Sequence, residues 1–221
     1  MNASHHPGDD LLVSYASGSL DEPSSILIAT HLSLCPVCRG VVALAEGVGG
    51  ELIEQIDLSD IGTSDLDACL ARLDEPEEFV GAAVETIDEA VDDAISIPRP
   101  LKDYLPGEVK SLPWRWLGPG VQYTAIHTEA KAPKVGLLRI APGTKVPMHG
   151  HTGNEMTLVL AGGYIDATGN FQRGDVESAD DGLVHQPVAD AGEECICLVV
   201  TEGELQPTGI IAKVLQPFFR F

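Results

Sequence analysis

Three residues near the N-terminus have the types and spacing of a zinc site. The segment His31-Leu-Ser-Leu-Cys35-Pro-Val-Cys38 places an imidazole one helical turn before two thiols. Residues i and i+4 of a helix lie on one face, so His31 and Cys35 would present their side chains together. Pro36 has no backbone N–H, so the helix should end near Cys35, and the turn can bring Cys38 to the same point. Two thiolates and an imidazole are ligands that suit Zn²⁺.

A tetrahedral zinc site needs a fourth ligand, for which two histidines upstream are candidates. His6 is the predicted ligand, although the adjacent His5 could serve in its place. The alternative for the whole motif is a redox-active Cys-x-x-Cys pair behind a disordered terminus. The histidine one turn before Cys35 favours zinc over redox chemistry.

A second group of metal-ligand types lies in the C-terminal half. The pattern Gly143-x5-His149-Gly-His151-x3-Glu155-x6-Gly162 matches the first cupin motif at every spacing. Residues two apart on a strand share a face, so His149 and His151 should point into a barrel together. Glu155 would join them from the next segment, and His185 is the predicted fourth ligand. Such a set suits a divalent metal, either Zn²⁺ or Fe²⁺, Mn²⁺ or Ni²⁺.

The alternative for this second group is four ordinary polar residues of the core, which would be costly to bury without partners. The second cupin motif is imperfect. Gly169-x4-Gly174-Asp175 resembles its opening, but Gln172 or Arg173 stands where a proline is usual, and His185 comes later than expected. The register of the late strands therefore stays open.

The five cysteines indicate a reducing compartment, because their number is odd and two pairs are too close in sequence for a disulfide within the pair to stabilise a fold. The polar start of the chain predicts no signal peptide, and the apolar runs are too short to cross a bilayer. A cytoplasmic protein without a membrane partner is expected. Cys195 and Cys197 should share one face of a strand, as small buried hydrophobes or, if they face inward, as thiols near the cupin metal.

The elements that would position these residues predict an α+β protein of two domains. Helical periodicity over the first half predicts a zinc-binding helical bundle in residues 1–97, with a helix starting at Pro36 and ended by Gly47, Gly49 and Gly50. Residues 98–110 are predicted as a linker. Short alternating runs then predict an all-β cupin (jelly-roll) barrel in residues 111–221, with strands at 135–140, 156–160, 164–167 and 194–200.

The net charge of −21 makes direct nucleic-acid binding improbable and suits a basic protein partner. Residues 51–103 carry 16 acidic and 3 basic residues, a local charge of −13. Within them, apolar residues from Phe79 to Ile95 recur at helical spacing. This stripe predicts either a surface helix packed on its own domain or an amphipathic helix that docks on the partner.

The histidine–cysteine motif resembles that of the zinc-binding anti-sigma factors, and together with a C-terminal cupin it resembles the ChrR-type members across essentially the whole chain. The tail Leu-Gln-Pro-Phe-Phe-Arg-Phe is similar too. The resemblance implies zinc in both sites and a one-to-one complex that inhibits an extracytoplasmic-function (group IV) sigma factor. It further implies that the N-terminal domain suffices for sigma binding, whereas the cupin answers singlet oxygen or organic peroxide.

Two other classes of function remain possible from the residues. Many cupins with this ligand set are metal-dependent dioxygenases, isomerases or decarboxylases, which would make the zinc module a regulatory addition. A small-molecule sensor bound to another kind of protein is the third class. Because no general acid or base is evident beyond the ligands, a regulator rather than an enzyme is predicted.

Overall fold

A computed structural model describes residues 3–58, 62–74, 96–129, 132–203 and 205–207. The helices of these residues are α1 (Asp9–Ala16), α2 (Glu22–Leu34), α3 (Pro36–Glu54), α4 (Thr63–Ala71) and α5 (Arg99–Lys102). The strands are β1 (Arg115–Gly118), β2 (Val121–Ile126), β3 (Lys134–Ile140), β4 (His149–His151), β5 (Glu155–Ala161), β6 (Gly163–Ile165), β7 (Asn170–Gln172), β8 (Val176–Ala179), β9 (Val188–Ala189), β10 (Cys195–Thr201) and β11 (Leu205–Pro207). Helices followed by strands confirm the predicted fold class.

The chain divides into two compact units. Residues 1–47 and 93–221 form the first unit, which contains α1, α2, the first part of α3, α5 and all the described strands. Residues 48–92 form the second unit, which contains the end of α3 and the whole of α4. The boundaries predicted at 97 and 110 remain a prediction. The apolar stripe from Phe79 to Ile95 and the C-terminal tail lie outside the described residues.

Helix α3 is longer than the sequence predicted. α3 continues through Gly47, Gly49 and Gly50 to Glu54, so the prediction that these glycines end the helix is wrong. None of the three adopts a positive φ, and a glycine in a helix interior costs only about 1 kcal/mol relative to alanine. The segment 98–110, whose role as a linker remains a prediction, contains α5 and the start of a 3₁₀ turn, and its Leu101 and Val109 are buried in the core.

The β region consists of one large sheet and two smaller ones. The large sheet has the order β1-β2-β3-β10-β5-β8, and the others are β7-β6-β9 and β4-β11. Its strands pair antiparallel throughout. An isolated bridge between His149 and His185 brings the β4 strand to the loop before β9. The described strands do not close into one continuous hydrogen-bonded barrel, but they enclose a cavity, as a cupin does.

Strand β10 shows why the helices pack on this sheet. Ile196, Leu198 and Val200 belong to the core shared with α1, α2 and α5, whereas Cys195, Cys197 and Val199 belong to a second core on the opposite face. Side chains alternate along a strand, so a continuously apolar strand needs cover on both faces. The helices supply that cover on one face, and the cavity side of the barrel lies on the other.

Gly162 makes the turn between β5 and β6 that the sequence predicted. Its φ is +64°, and a Cβ at this position would collide with the carbonyl oxygen of Glu194. We expect Gly162→Ala to lower the free energy of unfolding by about 1–3 kcal/mol, measured by chemical denaturation. Gly192→Ala is the matched control, because its Cβ would meet open space. Equal stability of the two variants would contradict this role of Gly162.

Candidate metal sites

The first cluster forms at the break between α2 and α3. Asp21 caps the start of α2 by accepting a hydrogen bond from the Ser24 N–H, and the helix ends at Leu34 with Cys35 in an extended conformation. α3 then leaves at 119° to α2. His31 in the last turn of α2, Cys35 at the break and Cys38 in the first turn of α3 are therefore directed to one point, as predicted from their spacing.

The structure brings His6, and not His5, to this point. Nitrogen and sulfur atoms of His6, His31, Cys35 and Cys38 all lie within 4.8 Å of one another. His5 is directed elsewhere, with its ring centroid 4.5 Å from that of Phe171. The sequence could not choose between the two neighbours, because the choice depends on where the following chain is anchored.

The cluster has the dimensions of a tetrahedral zinc site. The Nδ1 atom of His6 lies 3.5 Å from Cys35 Sγ and 3.3 Å from Cys38 Sγ. Ordinary zinc–sulfur and zinc–nitrogen bond lengths separate such ligand atoms by about 3.5 Å. The Nε2 atom of His31 is buried and has no hydrogen-bond partner, a costly state that a metal would relieve. The residues present therefore fit zinc.

The protonation states of His31 and Cys38 have opposite consequences for metal binding. Burial lowers the pKa of His31, so its imidazole is neutral at pH 7 and has a lone pair to offer. Burial and the neighbouring Cys35 thiol raise the pKa of Cys38. Without a metal this thiol keeps its proton, and binding must displace it.

The second cluster contains the four residues predicted from the cupin motif. His149 and His151 come from β4, Glu155 from the start of β5 and His185 from the loop before β9, with one ligand atom of each within 4.8 Å of the others. The Nε2 atom of His185 lies 3.2 Å from that of His149 and 3.3 Å from that of His151. Nitrogen ligands of a tetrahedral metal are separated by about 3.3 Å. These residues fit a divalent cation.

Two carboxylates beside this cluster were not found from the sequence. Asp166 Oδ2 lies 2.8 Å from Nδ1 of His185, and Glu177 Oε1 lies 3.5 Å from it. Hydrogen bonding at Nδ1 directs Nε2 of His185 toward the cluster, an arrangement common for metal-binding histidines. Tyr164 donates a 2.7 Å hydrogen bond to Glu177 and fixes that carboxylate in turn. Nothing in the linear spacing pairs these residues, because they meet only when β6 and β8 face each other.

Metal binding at the cupin cluster should weaken below pH 7. Burial raises the pKa of Glu155 to about 7, so below that pH a metal must displace a proton from it. Burial alone would lower the pKa of His185, but hydrogen bonds to Glu177 and Asp166 raise it, which adds to the same dependence. We expect affinity to fall by up to about tenfold per pH unit for each proton displaced as the pH decreases, measured by chelator competition.

The matched variant for this measurement is Glu155→Gln, which has no carboxylate to titrate. It should bind metal more weakly, with a shallower dependence on pH. An affinity that is unchanged below pH 7 in the native chain would contradict the protonation of Glu155.

A cavity of about 290 Å³ opens beside the cupin cluster. His149, Glu155 and His185 are among its polar lining residues, and apolar side chains such as Val121 and Ile140 also line it. Cys197 also lines it, and its Sγ lies 3.5 Å from that of Cys195. Both cysteines are buried and share one face of β10, as their spacing predicted, and the structure shows that this face is the inward one. The cavity can hold a small, largely apolar molecule next to a metal.

No single described helix is long and apolar enough to span a membrane; α2 and α3 reach that length and composition only together, across their 119° bend.

Comparison with known proteins agrees with both halves of the structure. Residues 105–205 match the family described as the ChrR cupin-like domain. The anti-sigma-E factor ChrR of Cereibacter sphaeroides is 40% identical over 220 residues, which cover 100% of both chains. The crystal structure of Rhodobacter sphaeroides SigE in complex with the anti-sigma ChrR contains a chain with 38% identity and a TM-score of 0.76. That match covers 91% of this chain and 100% of the other.

The similarity extends over helices and strands alike, so it is not confined to the cupin fold. A chain this similar over its whole length to a ChrR protein, with a matching ChrR cupin-like domain, belongs to the ChrR family of anti-sigma factors.

Proposed function

We propose that this protein is an anti-sigma factor that binds one extracytoplasmic-function (group IV) sigma factor and inhibits it. The observation that carries the proposal is the full-length similarity to ChrR, including the structure of ChrR in complex with SigE. The same similarity supports a regulator rather than an enzyme. Such a partner also implies that the protein acts in the cytoplasm.

The second compact unit has a surface suited to a protein partner. The end of α3, the residues that follow it, α4 and the 3₁₀ turn after α4 expose eight large apolar side chains, namely Val48, Leu52, Ile53, Ile56, Leu58, Leu66, Leu70 and Leu73. Leu66 and Leu70 lie four residues apart on one face of α4, and Leu73 follows in the 3₁₀ turn Arg72–Asp74. Large exposed apolar side chains that occur close together in a chain are typical of surfaces that bind a protein partner. We call these eight residues the exposed apolar surface.

Charge supports the same class of partner. The region from residue 51 to 103 contributes −13 to a net charge of −21. A strongly acidic protein attracts a basic one and speeds their encounter. Sigma factors contact the DNA phosphate backbone with basic residues, so an acidic binder can occupy the same surface.

We further propose that the first cluster holds Zn²⁺ as a structural ion and that the cupin cluster holds Zn²⁺ or another divalent metal. His6, His31, Cys35 and Cys38 would be the ligands of the first. His149, His151, Glu155 and His185 would be those of the second, in which an apolar cavity adjoins the metal. This cavity and the thiol of Cys197 support a sensory role, in which singlet oxygen or organic peroxide acts on the cupin and the sigma factor is released.

The exposed apolar surface provides a direct test of sigma binding. We expect Leu52→Asp and Leu70→Asp each to raise the dissociation constant for the sigma factor by about thirtyfold, because each introduces a buried charge into an apolar contact. Isothermal titration calorimetry with the purified full chain measures this effect. The matched control is Trp116→Asp, an exposed apolar residue on β1 that lies outside the surface.

Unchanged affinity in both leucine variants would exclude this surface from the interface. Weakening by Trp116→Asp to the same degree would indicate a general effect of the introduced charge instead.

A further inference from the structure

The N-terminal segment is held by the cupin half of the chain immediately before His6. The backbone N–H of His5 donates a 2.9 Å hydrogen bond to Asp175 Oδ1, and the Ser4 N–H donates to the same oxygen. The Val176 N–H donates a 3.1 Å hydrogen bond to the carbonyl oxygen of His5. Residues 4 and 5 are thus held at the start of β8 through both their N–H groups and the carbonyl group of His5.

Asp175 belongs to a turn of the cupin, Gly174–Val176, and this turn also orients His31. Its Nδ1–H donates a 2.8 Å hydrogen bond to the carbonyl oxygen of Gly174, which leaves Nε2 directed at the first cluster. Gly174 has a φ of +96°, a conformation that favours glycine, and the turn is therefore specified by sequence at this position. The turn before β8 therefore contacts His31 itself and the two residues that precede His6.

Asp175 is built into this turn and is nearly inaccessible, with 3% of its surface exposed. Its second carboxylate oxygen accepts a 2.8 Å hydrogen bond from the Gln172 N–H. A buried carboxylate is tolerated only when it is fully hydrogen-bonded, and here the N-terminal segment supplies two of its donors. Docking of residues 4 and 5 therefore stabilises the turn, and the turn stabilises the docked segment.

We propose that the turn Gly174–Val176 of the cupin is an integral part of the first metal site, in which Asp175 positions His6 and the Gly174 carbonyl positions His31. The inference rests on the proposed zinc role of that cluster. His6 is exposed and belongs to no helix or strand, so without the anchor its segment would have many conformations. The anchor reduces the entropy lost when His6 binds the metal, and the helical module therefore retains zinc best when the cupin is folded against it.

The rate of zinc loss to a chromogenic chelator tests this inference in the full chain. Asp175→Ala should release zinc from the first site about tenfold faster, the size of effect usual for groups that orient metal ligands. The matched control is Asp181→Ala, which removes an exposed carboxylate from the same half of the chain. Cobalt substitution gives a selective second readout, because thiolate-to-cobalt absorption arises at the cysteine site and the cupin cluster contains no thiol.

A second pair of variants separates positioning from damage to the cupin. Ser4→Pro removes the backbone N–H that donates to Asp175, whereas Ser4→Ala keeps it, and neither changes the cupin sequence. We expect faster zinc loss and an altered cobalt–thiolate spectrum for Ser4→Pro and no change for Ser4→Ala.

The outcomes distinguish this inference from the proposed function. Wild-type protein that holds no metal at the cysteine site would overturn the zinc proposal itself. Stoichiometric zinc with wild-type release rates in both Asp175→Ala and Ser4→Pro would overturn the positioning role alone.

Discussion

Replacing Cys38 with serine is expected to remove zinc from the first site and to abolish sigma binding. The cluster joins the N-terminal segment, the end of α2 and the start of α3, so its loss separates three segments at once. A structural zinc contributes about 10–16 kcal/mol in small zinc modules, which is comparable to the whole stability of a typical domain. Metal content by mass spectrometry and affinity by calorimetry measure the two effects.

Cys69→Ser is the matched control for this prediction. Cys69 is an exposed cysteine of α4 outside both metal clusters, so the same chemical change should leave the zinc content intact. A Cys38→Ser protein that loses its zinc yet binds the sigma factor with full affinity would show that the zinc is not required for inhibition.

Replacing Glu155 with alanine is expected to leave inhibition intact and to blunt release of the sigma factor under stress. The variant lacks one ligand of the cupin cluster, whereas the first cluster and the exposed apolar surface are unchanged. Loss of a group that only orients a metal ligand typically weakens metal binding by at least about tenfold. Loss of the ligand itself should weaken it by well over that factor. A promoter read by the sigma factor, measured before and after exposure to singlet oxygen or organic peroxide, gives both quantities.

Glu193→Ala removes an exposed carboxylate from the same domain and should respond as the wild type does. Full induction in Glu155→Ala would contradict a sensory role of the cupin metal. High expression without stress would contradict the separation of binding from sensing.

Local spacing accounts for most of what the sequence predicted correctly. The four-residue interval from His31 to Cys35 and the two-residue interval from His149 to His151 each specify a shared face as soon as a helix or strand forms. The break at Pro36 follows from its missing N–H, and the alternation along β10 predicted that Cys195 and Cys197 face the same way. Each of these features depends on a single helix or strand, so it can be predicted from the local sequence alone.

Features that depend on several elements were missed or left open. The choice of His6 over His5 follows from the contact of His5 with Asp175, which is 170 residues away in the chain. Asp166 and Glu177 reach His185 only when β6 and β8, which belong to different sheets, face each other. The local rule that glycines end a helix failed for α3, which continues past all three. The free-energy cost of each glycine in the helix is too small to stop the helix from continuing.

The central claim is that the chain forms a metal-loaded one-to-one complex with a sigma factor, and native mass spectrometry tests it most directly. The full chain would be co-expressed with candidate extracytoplasmic-function sigma factors and measured intact. We predict a one-to-one complex that carries two metal ions, with Cys38→Ser abolishing the complex and Glu155→Ala removing only one ion. A protein that carries both metals and binds none of these sigma factors would contradict the account.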